Sequence, residues 1–124
     1  MCNRIRVLYV DDSRRATQIH AEMLSNHGFE VVTALTPAAG LDRLSRGGVD
    51  CVLSDLTMPE TDGFEFLAAI REAYPRLPFI LFTGEESADT VAAAFERGVT
   101  DFVPKSFCGT SYELLTHRIE QAVQ

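Results

Sequence analysis

CVLSDLTMPETDGFEFLAAIREAY, residues 51–74, decides the architecture. It opens on a short apolar run, Cys51–Leu53, without polar alternation. A strand with one face in water alternates, so this run reads as a strand covered on both faces, as in a parallel sheet. Asp55 ends the strand, and Phe64, Leu67, Ile70 and Tyr74 then recur at helical spacing. The stretch is one strand followed by one helix.

The same unit recurs on either side. Further apolar runs lie at Ile5–Val10, Phe29–Ala34, Phe79–Phe82 and Phe102–Val103. Ala16, Ile19 and Met23 mark a helix after the first run. Leu41 and Leu44 mark one after the second, opened by Thr36 as N-cap and Pro37 at the first helical position. Ala88, Val91, Ala92 and Phe95 mark the fourth helix, and Leu115, Ile119 and Ala122 the fifth. Gly28, Gly47 and Gly98 fall just past helix ends, where a left-handed residue is wanted. Five such units predict an α/β fold: a doubly wound parallel sheet of five strands, for which 2-1-3-4-5 is the common order. Its ligand site is expected outside the carboxyl ends of strands 1 and 3.

Bulk properties narrow the function. A chain of 124 residues is the size of one domain, expected to be structured from about residue 4 to residue 123. With 46% hydrophobic residues it can fill a core, and a net charge of −7 argues against a nucleic-acid backbone as partner. No apolar run approaches the roughly 20 residues that span a bilayer. The opening MCNRIRVLYV reads as a strand and not as a signal peptide. Cys2, Cys51 and Cys108 lack metal-ligand spacing and read as reduced thiols of a cytoplasmic protein. Ten arginines stand against a single lysine, Lys105.

The chemically capable residues fall at one edge of the expected sheet. Asp11 and Asp12 end the first strand, Asp55 the third and Thr83 the fourth, and Lys105 follows the fifth. Taken singly, each reads as a loop residue or cap; Asp12 and Ser13 are cap candidates for the first helix. Together they make a site. Two unit charges about 4 Å apart repel by about 4 kcal/mol at an effective dielectric of 20, so gathered carboxylates call for a cation. Lys105 offsets one charge, and an oxygen-only donor set suits Mg²⁺ for the rest. An aspartate beside such an ion is a competent nucleophile toward phosphorus. Gly84 leaves room beside Thr83 for a phosphodonor. His20, His27 and His117 are expected on surface or helix faces, away from the site.

VDDS after the first strand, SDLTMPETDGFEFL around the third, LFTGE at the fourth and DFVPKSF at the fifth resemble the receiver domains of two-component response regulators. The resemblance covers nearly the whole chain and implies the flavodoxin-like fold with the strand order 2-1-3-4-5. It implies Asp55 as phosphoacceptor, and Asp11 and Asp12 as the acidic pair holding Mg²⁺ (or Mn²⁺), with Asp55 and the backbone carbonyl of Thr57 completing the metal ligands. It implies Thr83 as the switch hydroxyl, Lys105 as the phosphate-pairing ammonium and Phe102 as the aromatic switch residue. Two features depart from the family pattern: Lys105 is followed by Ser106 where the family usually has proline, and Phe102 lacks the hydroxyl of a tyrosine.

The resemblance further implies a sensor histidine kinase or phosphotransfer protein as phosphodonor, and an output protein or domain of unknown identity as receiver of the signal. A phosphorylation-dependent dimer is compatible with it; direct nucleic-acid or membrane binding is not expected. The module would catalyse its own phosphorylation and dephosphorylation without being a turnover enzyme. Two alternatives stand beside it: a phosphorylation-independent pseudo-receiver, which is a binding module on the same fold, and an aspartate-nucleophile phosphohydrolase. The phosphohydrolase characteristically places a second aspartate two residues after the nucleophile, where this chain has Thr57.

Overall fold

Strand and helix alternate along the chain without exception among the described residues, 4–58, 62–84, 87–105 and 112–124 of a computed structural model. The elements are β1 (Arg6–Val10), α1 (Arg14–Asn26), β2 (Glu30–Ala34), α2 (Pro37–Ser45), β3 (Cys51–Ser54), α3 (Gly63–Ala73), β4 (Phe79–Thr83), α4 (Ala88–Glu96), β5 (Asp101–Pro104) and α5 (Tyr112–Val123). All neighbouring strands pair in parallel, in the order β2-β1-β3-β4-β5. This is the fold class that the repeated unit predicts, in the order common to such sheets and implied by the receiver resemblance.

The local signals act where expected. Ser13 caps α1 by accepting from the Ala16 amide, and Thr36 caps α2 with Pro37 behind it. Gly28, Gly47 and Gly98 end their helices at φ of 94°, 78° and 96°, a region that costs most other residues strain.

Side-chain alternation sorts the strands onto two cores. Leu8, Val10, Val52, Leu81 and Phe102 face Leu44, Phe66, Leu67, Ile70 and Ala94 of α2, α3 and α4. Val7, Tyr9, Cys51, Leu53, Ile80, Phe82 and Val103 face Leu24, Leu115 and Ile119 of α1 and α5. Each large side chain so buried contributes about 1.5–3 kcal/mol of transfer free energy. The same alternation turns Tyr9 and Asp11 toward one side of the sheet.

Two helices present a different face from the one their apolar residues suggest. On α1, Ile19 is 49% exposed, while Thr17 and Leu24 are buried. Thr17 tolerates burial because its hydroxyl donates locally, with carbonyl acceptors at Ser13 (2.7 Å) and Asp11 (3.3 Å). On α4, Phe95 is 50% exposed and Ala92 is exposed, while Ala94 is buried and Val91 packs against the core. A small residue lets the helix sit close to the sheet; the larger neighbour is left outside.

Candidate functional site

Register gathers the polar residues. Val10 pairs with Ser54 across β1 and β3, so the next residues, Asp11 and Asp55, emerge side by side. The Asp55 amide donates to the Val10 carbonyl at 3.0 Å, carrying the pairing one step beyond the strands. Across β4 and β5, Thr83 pairs with Pro104, which puts Lys105 next beyond Thr83 at the same edge. The open end of the sheet therefore collects Asp11, Asp12, Asp55, Thr83 and Lys105, as the strand reading requires.

Three carboxylates converge there. Asp11 and Asp55 are buried, at 1% and 9% exposure, and Asp12 is exposed. One oxygen from each lies within 4.8 Å of the others. Lys105 bridges the two buried members: its Nζ donates to Asp11 Oδ2 at 2.8 Å and lies 3.4 Å from Asp55 Oδ2. Burial alone would raise the Asp11 pKa, but hydrogen bonds from Lys105, the Ser13 amide and the Tyr9 hydroxyl outweigh it and hold the carboxyl below its ordinary range. Burial likewise works against the Lys105 charge, yet Asp11 and Asp55 raise its pKa above the ordinary lysine value. The pair is ionised around neutral pH.

The backbone around Asp55 is held tightly. Its Oδ1 accepts from the Leu56 amide at 2.8 Å, and the Leu56 carbonyl accepts from the Gly63 amide at 2.7 Å. A Cβ on Gly63 would stand 2.7 Å from the Asp55 carbonyl oxygen and 2.8 Å from the Leu56 Cα. Glycine at the start of α3 is therefore what lets that helix close on the strand carrying Asp55. Thr83 is buried, at 1% exposure, and a Cβ on Gly84 beside it would meet nothing within 4 Å. Thr57 is exposed two residues after Asp55. Phe102 is buried in β5, packed in the core beneath α4. Ser106 lies outside the described residues.

One expectation is corrected. His20 does not sit apart from the site but half-buried in a layer behind it. Its ring meets Phe82 edge-on at 5.0 Å and Tyr9 at 5.9 Å, and its Nδ1 pairs with the Tyr112 hydroxyl. Burial, then the Lys105 charge, lowers its pKa. The physical reason is the face of α1: the inward side runs through Thr17, His20 and Leu24 and not through Ile19. His27 and His117 are exposed, as expected. Sequence reasoning also misses Tyr9, whose Oη donates to Asp11 Oδ2 at 2.8 Å. A signal for it exists, since it stands two residues before Asp11 and strand alternation puts both on one face.

The donor set offers carboxylate oxygens and no soft ligand, with a net negative charge that one ammonium does not cancel. Such a set fits a hard divalent cation.

The sequence profile of the response regulator receiver domain matches residues 7–119. The transcriptional regulatory protein GlrR of Escherichia coli is 35% identical over 117 residues, 94% of this chain and 26% of its own length. The sensor kinase/phosphatase CqsS of Vibrio cholerae is 34% identical over 103 residues, 81% of this chain and 15% of its own. The chain thus spans about a quarter or less of these relatives. Among solved structures, the chemotaxis protein CheY4 of Vibrio cholerae superposes with a TM-score of 0.87 at 30% identity, covering 97% of this chain and 99% of that one. No helix among the described residues is long and apolar enough to cross a membrane.

Proposed function

The chain belongs to the response regulator receiver family, and from that premise we propose that it is a phosphorylatable switch in which Asp55 takes a phosphoryl group from a phosphohistidine of a sensor kinase or phosphotransfer protein. The observation that supports this most is the position of Lys105 Nζ, 2.8 Å from Asp11 and 3.4 Å from Asp55, within a cluster of three carboxylates. Residues 4–123 act as one receiver module.

Asp55 attacks phosphorus: its carboxylate oxygen forms the new O–P bond while the P–N bond breaks. The leaving imidazole keeps the electron pair and takes up a proton. Lys105 neutralises a phosphoryl oxygen, and Thr83 donates its hydroxyl to another. A bound Mg²⁺ or Mn²⁺, held by Asp11, Asp12, Asp55 and the Thr57 carbonyl, would supply further neutralisation of the phosphoryl charge. Gly84 leaves the approach to Thr83 open. The reaction ends on the protein itself, so the module is a signalling device and not a turnover enzyme. Hydrolysis of the acyl phosphate resets it.

The signal leaves by a change of face. The phosphoryl group draws Thr83 toward the site, and Phe102 of β5, buried beneath α4, responds, so that the surface of α4, β5 and α5 binds or releases an output partner or a second copy. The module works in the cytoplasm, where such kinases present their phosphohistidines.

Incubation with acetyl phosphate and Mg²⁺ tests the reading. Intact mass should rise by one phosphoryl group, in an adduct that base removes and acid spares. An Asp55→Asn variant that gains the same adduct at the same rate refutes the assignment.

A further inference from the structure

Lys105 faces a conflict. Its Nζ donates to Asp11 at 2.8 Å, yet it is also the group that stands 3.4 Å from Asp55. When a phosphoryl group arrives on Asp55, the ammonium is drawn toward the new oxygens. Asp11 Oδ2 then loses its charged donor; the Ser13 amide still donates to Oδ1 at 3.0 Å and a bound Mg²⁺ would share the carboxylate, so what remains to be fixed is the direction in which the buried Oδ2 points.

The layer behind the site holds an answer. Tyr9 is fully buried on β1, and its hydroxyl reaches the same oxygen that Lys105 holds, Asp11 Oδ2, at 2.8 Å. The ring is walled by Phe82 at 6.1 Å and by His20, both edge-on. A phenol is an uncharged hydrogen-bond donor, so this contact adds no charge to the site. A phenol has few rotatable bonds, and a ring held in a close-packed wall cannot follow the phosphoryl group. Its hydrogen bond therefore stays with Asp11 when the flexible lysine leaves.

We propose that Tyr9 is a positioning residue of this site: its hydroxyl keeps the Asp11 carboxylate in place while Lys105 transfers its contact to the phosphoryl group on Asp55. The inference rests on the receiver reading and adds to it a residue outside the acidic cluster. It makes a differential claim. Before phosphorylation Oδ2 has two donors, and loss of the hydroxyl is partly covered by Lys105. After phosphorylation Lys105 no longer holds Oδ2, so removal of the hydroxyl frees the carboxylate to turn away from the metal that Asp11 would hold, and weakens the phosphoryl-bound state most.

The test compares the parent with Tyr9→Phe, which keeps the ring and removes one oxygen, using beryllofluoride with Mg²⁺ as the phosphoryl mimic. Lys105 is the only lysine of the sequence, so a ¹⁵N-lysine label gives one ammonium signal that reports where Nζ sits. In the parent that signal should move on addition of beryllofluoride. In Tyr9→Phe, beryllofluoride affinity should fall roughly tenfold, the lower end of what one charge-assisted hydrogen bond carries, with a smaller change in affinity for Mg²⁺ alone. In an Asp11→Ala background the same substitution should change little, since the side-chain acceptor is gone. Equal beryllofluoride affinity in parent and Tyr9→Phe overturns the inference. So does an equal loss of affinity for Mg²⁺ alone, an equal loss in the Asp11→Ala background, or a Lys105 signal that beryllofluoride leaves in place. A parent that neither binds beryllofluoride nor accepts phosphate overturns the receiver reading itself, which separates that failure from one confined to Tyr9.

Discussion

Replacing Lys105 by methionine removes the charge and keeps much of the apolar stem. The size of the effect depends on how strongly the carboxylates repel. Their oxygens lie within 4.8 Å of one another, so the buried Asp11–Asp55 pair alone repels by at least about 3.5 kcal/mol at an effective dielectric of 20. Lys105 offsets most of this now. Its side chain is 24% exposed, so water screens part of the interaction, and the expected loss without metal is about 2–3 kcal/mol. For a domain of this size each kcal/mol moves Tm by about 4 °C, so Lys105→Met should melt about 8–12 °C lower in EDTA. Mg²⁺ should then recover more stability in the variant than it adds to the parent, because the folded variant holds the less neutralised site and binds cation more tightly. Thermal scans of both proteins in EDTA and across a Mg²⁺ series measure this. If the variant melts within about 2 °C of the parent in EDTA, and Mg²⁺ shifts both equally, the charge account of this site is wrong.

Asp12→Ala should weaken the Mg²⁺-dependent rise in Tm while raising Tm without metal, because it removes a repelling charge that is itself exposed; an unchanged Mg²⁺ response shows that Asp12 is not a ligand. Gly63→Ala forces a methyl group to within 2.7 Å of the Asp55 carbonyl oxygen and 2.8 Å of the Leu56 Cα, both backbone. It should cost about 1–3 kcal/mol in urea unfolding and slow phosphorylation by displacing Asp55; parent-like values in both would show that α3 can retreat freely. Thr83→Ala should still accept phosphate, more slowly, yet lose most of the change in amide exchange over α4 (Ala88–Glu96) that beryllofluoride induces. One charge-assisted hydrogen bond shifts a two-state balance roughly 10- to 150-fold, so an undiminished response in the variant would refute the Thr83 coupling.

The fold and most of the site are legible in the order of residues. Unalternated apolar runs at Val7–Val10, Cys51–Leu53 and Phe79–Phe82 have no stable place except a sheet covered on both faces. The residues that end those runs must then share one edge, so Asp11, Asp55 and Thr83 are neighbours by the logic of a parallel sheet alone. The motif around Asp55 adds the glycine that the close approach of α3 requires.

Tertiary packing decides which face each helix turns inward and what stands behind the carboxylates. Ile19 and Phe95 carry the apolar signal of α1 and α4 yet face water. The inward positions fall to Thr17, whose hydroxyl is satisfied within its own helix, and to Ala94, whose small size allows close packing. Hydrophobic periodicity weighs residue type and cannot see either compensation. The layer formed by Tyr9, His20, Phe82 and Tyr112 is assembled from β1, α1, β4 and α5, elements far apart in the chain. No local pattern joins them. Strand alternation puts Tyr9 on the face of Asp11, but only packing of the two helices on that face closes the wall around its ring and leaves its hydroxyl as a second donor for the oxygen that Lys105 also holds.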